Sequence, residues 1–126
     1  METATLLVGL FFCHLLADFT WLYTPSMESA KNSGNATLPI FYHAIIHTFV
    51  MAVFLTGSDL PLITIGNMLA LQLLTHFLID LCESRINARF PSLRCQCNQL
   101  NWLVIGAVQC AHLIVIWLMW LSATAY

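Results

Sequence analysis

Charge is what this sequence has least of. Asp, Glu, Lys and Arg together make up 8% of it, against about a quarter of a typical soluble domain. The four basic residues are Lys31, Arg85, Arg89 and Arg94, and they form no run. Phosphate backbones are bound by clustered Lys and Arg, so nucleic acid is excluded as a partner. No C-x-x-C is present. The five cysteines are Cys13, Cys82, Cys95, Cys97 and Cys110. Cys95 and Cys97 stand closer together than a redox or zinc pair requires. Cys13 and Cys110 sit inside apolar runs and read as packing residues. No G-x-S-x-G occurs and no thiol has an obvious base beside it, so nucleophilic catalysis has no support. Internal repeats, low-complexity tracts and a composition shift that would mark a second domain are also lacking.

What is abundant is apolar side chain, at 60% of 126 residues. Such a composition cannot cover a water-soluble surface, so the expected class is integral membrane protein. Apolar runs span about 3–23, 39–56, 60–81 and 99–121, each near the 20 residues that cross a hydrocarbon core. The first lacks the basic leader and small-residue cleavage site of a signal peptide and carries polar groups in its middle. Pro39 suits a first helical turn. Residues 24–38 and 82–98 read as polar loops, with Ser26–Lys31 forming a short interfacial helical turn. Gly57-Ser58-Asp59 reads as a tight turn. Trp102, Trp117 and Trp120 fall near the ends of the last run, where an aromatic belt is expected. The expected fold is all-α: one antiparallel four-helix transmembrane bundle over residues 1–126. Lys31 lies in the first loop and the three arginines in the third. The positive-inside rule then places both termini outside.

The informative residues are polar ones inside these runs. His14 and Asp18, His43 and His47, and His76 and Asp80 are each four apart. On a helix each pair shares one face. Counted at about 1.5 Å per residue from the nearest span end, Asp18 lies about 8 Å deep and Asp80 about 2 Å deep. All six fall in one half of the bilayer, with Asp80 nearest the interface. Ionisable groups in a span face the interior and have partners. Imidazole and carboxylate together suit a divalent metal such as zinc, manganese or iron. His14, Asp18, His43, His47, His76 and Asp80 are therefore the expected metal ligands, with Asp18 and Asp80 the candidates for general base. Two other readings compete. His–Asp hydrogen bonds could simply join helices. Haem could sit between two histidines, though it needs no carboxylate one turn away. His112 stands alone on the last run and reads as a core histidine.

The blocks His14-Leu15-Leu16-Ala17-Asp18-Phe19, Lys31-Asn32, His43-Ala44-Ile45-Ile46-His47, Thr75-His76-Phe77-Leu78-Ile79-Asp80 and Arg85 resemble, in order, a small membrane family of bacteria and their phages catalogued as a domain of unknown function. More distantly they are similar to inner-membrane proteins labelled membrane-bound metal-dependent hydrolases. The resemblance implies a bacterial inner-membrane location. It also implies a hydrolase using a divalent metal. The place of the site near the interface suits a membrane lipid or its headgroup at the inner leaflet as substrate. Arg85 and Arg89, just beyond span three, read first as positive-inside anchors and second as candidates to hold an anionic head. Where this sequence has Asn98-Gln99 and Trp102, the family tends to carry Asp-Gln and a histidine, which counts against a second metal here. The alternative is a non-enzymatic membrane protein that binds an ion, haem, another copy of itself or a different membrane protein. Polar groups spread through the full membrane thickness would favour ion passage. The apolar outer halves of spans two and three favour a one-sided pocket.

Overall fold

A computed structural model of the chain describes residues 3–35, 37–95 and 97–124. The described residues form five α-helices and no strand. These are α1 (Thr3–Asp18), α2 (Pro25–Ser33), α3 (Thr37–Leu55), α4 (Leu62–Arg89) and α5 (Gln99–Thr124), with a 3-10 turn at Pro91–Arg94. α1, α3, α4 and α5 build an up-and-down bundle in which α1 and α4 each pack against both α3 and α5. The direction of the outer pair is visible at one end, where the Trp120 indole N–H donates to the Thr3 carbonyl at 2.8 Å.

The bundle is turned inside out relative to a soluble one. On α4 the buried positions Thr64, Met68, Gln72, His76, Asp80 and Ser84 recur every fourth residue, so one seam of the helix faces the interior. Four of these are uncharged polar groups or histidine and one is an aspartate, whereas the outward positions are apolar. Phe12, Phe49, Leu62, Leu74 and Leu103 all lie exposed. A sheath of that kind is stable against lipid, not against water. α3, α4 and α5 are each long and apolar enough to cross a membrane. The chain is accordingly a helical membrane protein.

Three boundaries differ from the sequence expectation. α1 stops at Asp18 instead of Tyr23, and its 16 residues make it shorter than the three spanning helices. The chain turns there because Asp18 directs its carboxylate inward and Thr24 starts a new helix. Thr24 caps α2 by accepting from the Met27 N–H, and Pro25 occupies the first turn. The interfacial helix is thus longer than Ser26–Lys31. Its end is fixed by Gly34 at φ 76°, where any Cβ would also strike the Ala88 side chain. The third correction is the largest. Residues 82–89, read as loop, continue α4 for two further turns. At 28 residues α4 is about 42 Å long, more than a hydrocarbon core of about 30 Å. Arg85 and Arg89 therefore ride on a helix that projects past the apolar zone.

α2 lies across that projection. The Ser84 hydroxyl donates to the Ala30 carbonyl at 2.7 Å and accepts from the Gly34 N–H at 3.1 Å. The Asn87 amide donates to the Lys31 carbonyl at 3.4 Å. Arg94 Nε donates to the Asn87 carbonyl at 2.9 Å. Lys31, Arg85, Arg89 and Arg94 consequently share one end of the bundle. Cys95 and Cys97 are joined as a disulfide in the loop before α5. Cys13 is buried as packing predicts, but Cys110 faces outward.

Candidate metal centre

The same seams that point inward carry every histidine in the chain. α1 contributes His14, α3 contributes His43 and His47, α4 contributes His76 and α5 contributes His112, and all five are buried. Their rings touch one another. Centroids of His47 and His76 are 3.8 Å apart, those of His76 and His112 are 4.2 Å apart, and those of His43 and His47 are 4.6 Å apart.

Asp18 is the hub. Its Oδ1 accepts from His43 Nε2 and from His47 Nε2, each at 3.1 Å. Its Oδ2 accepts from the Gln109 amide at 3.1 Å. Asp18 ends α1 directly over the i,i+4 pair of α3, which is why one carboxylate reaches both rings. Asp18, His43, His47 and His76 each offer one ligand atom, all within 4.8 Å of one another. Three imidazole nitrogens and one carboxylate oxygen form a familiar ligand set for zinc and its neighbours. His76, Asp80 and His112 form a second group of the same kind. The two groups share His76.

Several of these atoms have no hydrogen-bond partner. They include His76 Nε2 and Asp80 Oδ2, which face each other at 3.5 Å, and both nitrogens of His112. Buried polar atoms left in this state are expensive, and a cation that accepts their lone pairs removes the cost. His76 Nδ1 has a partner in Gln72, whose amide lies 3.3 Å away. With the amide turned so that its carbonyl accepts from Nδ1–H, the Nε2 lone pair is free to ligate.

The placement of the expected residues is uneven. Asp18, His43, His47 and His76 come together, and Asp80 falls in the second group. His14 belongs to neither. Its Nε2 bonds to the Gln109 carbonyl oxygen at 3.1 Å and stands 3.4 Å from Asp18 Oδ2, so it orients the hub. His112 was read as a separate core histidine, yet its Nε2 is 3.6 Å from Asp80 Oδ1. Nothing in the sequence around it signals this. Only the antiparallel return of α5 brings it to the level of His76. Asn98 and Asn101, at the same end, bond instead to the Ser92 and Leu93 carbonyls and hold the loop.

Both aspartates are buried. The side chain of Asp80, the one expected nearest the interface, is 0% exposed, against 6% for Asp18. The two extra turns of α4 and the cover of α2 bury it. Lys31 of α2 reaches in and places Nζ 3.1 Å from Asp80 Oδ1 and 3.5 Å from Glu83 Oε2. Burial works against the Lys31 charge, but the Asp80 and Glu83 carboxylates outweigh it and hold its pKa above the ordinary value. Tyr23 backs this arrangement, with its ring 5.6 Å from Lys31 Nζ and 5.3 Å from the His43 ring. A cavity of about 220 Å³ lies between Asp18, Lys31, Glu83 and Gln109. Phe19, Tyr23 and Ile105 complete its lining.

The chain belongs to the DUF3307 family, described as a protein of unknown function, which matches residues 6–126. No curated protein and no solved structure matches it.

Proposed function

We propose that this protein holds one divalent metal ion within the membrane, on Asp18, His43, His47 and His76. The observation that carries this reading is the convergence of those four ligand atoms, from three helices, within 4.8 Å. The two imidazole nitrogens that meet Asp18 Oδ1 do so at 3.1 Å. Ligands at about 2.0–2.2 Å from one zinc ion stand about 3.3 Å apart, so little movement is needed. No thiolate takes part, which favours zinc, manganese or iron over softer ions. Haem does not suit the cluster, because rings stacked at 3.8 Å leave no slot between His47 and His76 for a macrocycle.

The chemistry we infer is hydrolysis of a phosphoryl or acyl bond in a membrane lipid, at the headgroup level of the inner leaflet. A bound divalent ion supplies a nucleophilic water at neutral pH and polarises the bond attacked. The chain's own residues supply the rest. Asp18 borders the 220 Å³ cavity, which supports it as the acceptor of a proton from a water there. Gln109, also on the cavity, fixes its carboxylate. Asp80 is the weaker candidate for the base, because the Lys31 ammonium stands 3.1 Å from its Oδ1. Most of the buried polar residues lie at one end of the bundle, and the opposite half of the interior is apolar apart from Thr64, which fits a pocket and not a pathway through the membrane.

Elemental analysis of detergent-purified protein tests the metal. The wild type should carry close to one zinc, manganese or iron per chain, and His43→Ala and His47→Ala should lose it. A wild type prepared without chelators that holds no metal, with both variants folding as well as it does, sinks the reading. The loaded protein in lipid nanodiscs then tests the reaction, by release of a phosphorylated or fatty-acid product that Asp18→Asn abolishes.

A further inference from the structure

The second ligand group already has a cation beside it. Asp80 Oδ1 faces His112 Nε2 at 3.6 Å and Lys31 Nζ at 3.1 Å, and Glu83 Oε2 is 3.5 Å from the same ammonium. His112 is 3% exposed, and neither of its ring nitrogens has a hydrogen-bond partner. An oxygen pair with an unpartnered buried imidazole beside it is a place for a cation. We propose that the Lys31 ammonium fills this second cation position and so restricts the centre to a single metal ion.

Charge supports the assignment. The polar interior holds the Asp18, Asp80 and Glu83 carboxylates and one ammonium, a formal balance of −2 with the histidines neutral. One divalent ion cancels that balance. Two would leave a buried excess of positive charge, which the low-dielectric interior opposes. Without Lys31 the balance is −3, so a second ion would leave +1 in place of +2, and the Asp80–Glu83 oxygens would lack a cation.

Geometry supports it as well. A surface lysine swings freely, but the backbone of this one is fastened to the helix that carries Asp80. The Lys31 carbonyl accepts from Asn87, and the neighbouring Ala30 carbonyl accepts from Ser84. The Gly34 N–H closes the other end of α2 onto Ser84. These bonds set the ammonium over the Asp80–Glu83 side and not over Asp18. A flexible point charge with three donors suits two carboxylates from one helix face, one turn apart.

This inference rests on the metal reading above, and its test separates the two. Wild type, Lys31→Met, Lys31→Arg, His112→Ala and Lys31→Met/His112→Ala are purified in detergent, loaded with zinc, desalted and analysed for metal per chain. Manganese serves as a second probe. One ion is expected in the wild type, one in Lys31→Arg, two in Lys31→Met, and one again in the double variant. His112→Ala alone should keep its single ion. A wild type with no ion overturns the metal reading and this inference with it. A wild type with one ion and a folded Lys31→Met that also holds one overturns this inference alone, as does a wild type with two. Should Lys31→Met fail to purify as folded protein, His112→Ala decides. Loss of its ion would put the metal on the Asp80 side, where we place the ammonium.

Discussion

The two halves of the bundle interior are built on different principles. Toward the turn between α3 and α4, the core is Leu10, Met51, Leu55, Met68, Ile116 and Met119, each almost fully buried. Toward α2 it is five histidines, two aspartates, Gln72 and Gln109. A soluble core gains stability by taking apolar surface out of water. In lipid that gain is missing, because acyl tails solvate leucine as well as another leucine does. The apolar half can therefore hold the helices only by close packing. Phe54 lies over Gly9 there, so closely that a Cβ on Gly9 would overlap its ring. The polar half adds directional bonds with fixed partners, and these specify which residue meets which. One half supplies density, the other register and the site.

Breaking the hub should have the largest effect. Asp18→Asn keeps one oxygen to accept from the two imidazoles, but it sets an NH2 donor against the Gln109 amide donor and removes the carboxylate from the four-ligand group. Weakening the hydrogen bonds of a buried charged group costs about 1.5–3 kcal/mol, so the variant should unfold at lower temperature and retain under a tenth of the metal. Asp80→Asn in the same assay should keep most of the metal, since Asp80 belongs to the other group. Circular dichroism melts in detergent and elemental analysis read both quantities. If Asp18→Asn holds as much metal as the wild type, Asp18 is no ligand and the centre lies elsewhere.

The apolar half should respond with stability alone. Leu10 is 0% exposed. Truncation to alanine opens a cavity costing about 2 kcal/mol, the lower end of the range for soluble cores, because the transfer part of that cost is absent in lipid. Metal content should not change. Loss of metal in folded Leu10→Ala would show that the two halves are coupled more tightly than their separate packing implies.

The difference between the halves also explains what could be read from the sequence. His14/Asp18, His43/His47 and His76/Asp80 were legible because each pair lies within one helix, and helical periodicity fixes the face they share. Their common level followed from counting along antiparallel runs. The contributions of His112, Lys31 and Glu83 were not legible. Each depends on how two elements dock, and spacing along one helix carries no trace of that. The docking of α2 turned on Ser84 and Asn87, two ordinary polar residues in a stretch that reads as loop. Because α4 continues through that stretch and α2 covers it, Asp80 is buried. Composition could not separate a helix leaving the membrane from a loop at its surface. The fold class was the easier inference, since 60% apolar residues in four runs leave few alternatives.

The smallest effect we expect comes from the residue at the border of the two halves. Gln72 is buried one turn above His76 and one turn below Met68, on the interior seam of α4. Its amide faces His76 Nδ1 at 3.3 Å and makes no other bond across the bundle among those described. Gln72→Met keeps the length and shape of the side chain and moves the apolar border one turn toward the site. The stability loss should be about 1 kcal/mol, the net worth of one hydrogen bond. The metal should stay bound but more weakly. A partner that orients a ligand imidazole is worth about 10- to 100-fold in metal affinity, and a single amide bond of ordinary length belongs at the low end. Competition against a zinc chelator measures this, with a tenfold lower affinity expected. An unchanged affinity would mean that the neighbouring rings alone fix His76, and that the polar half begins at the histidine and not at Gln72.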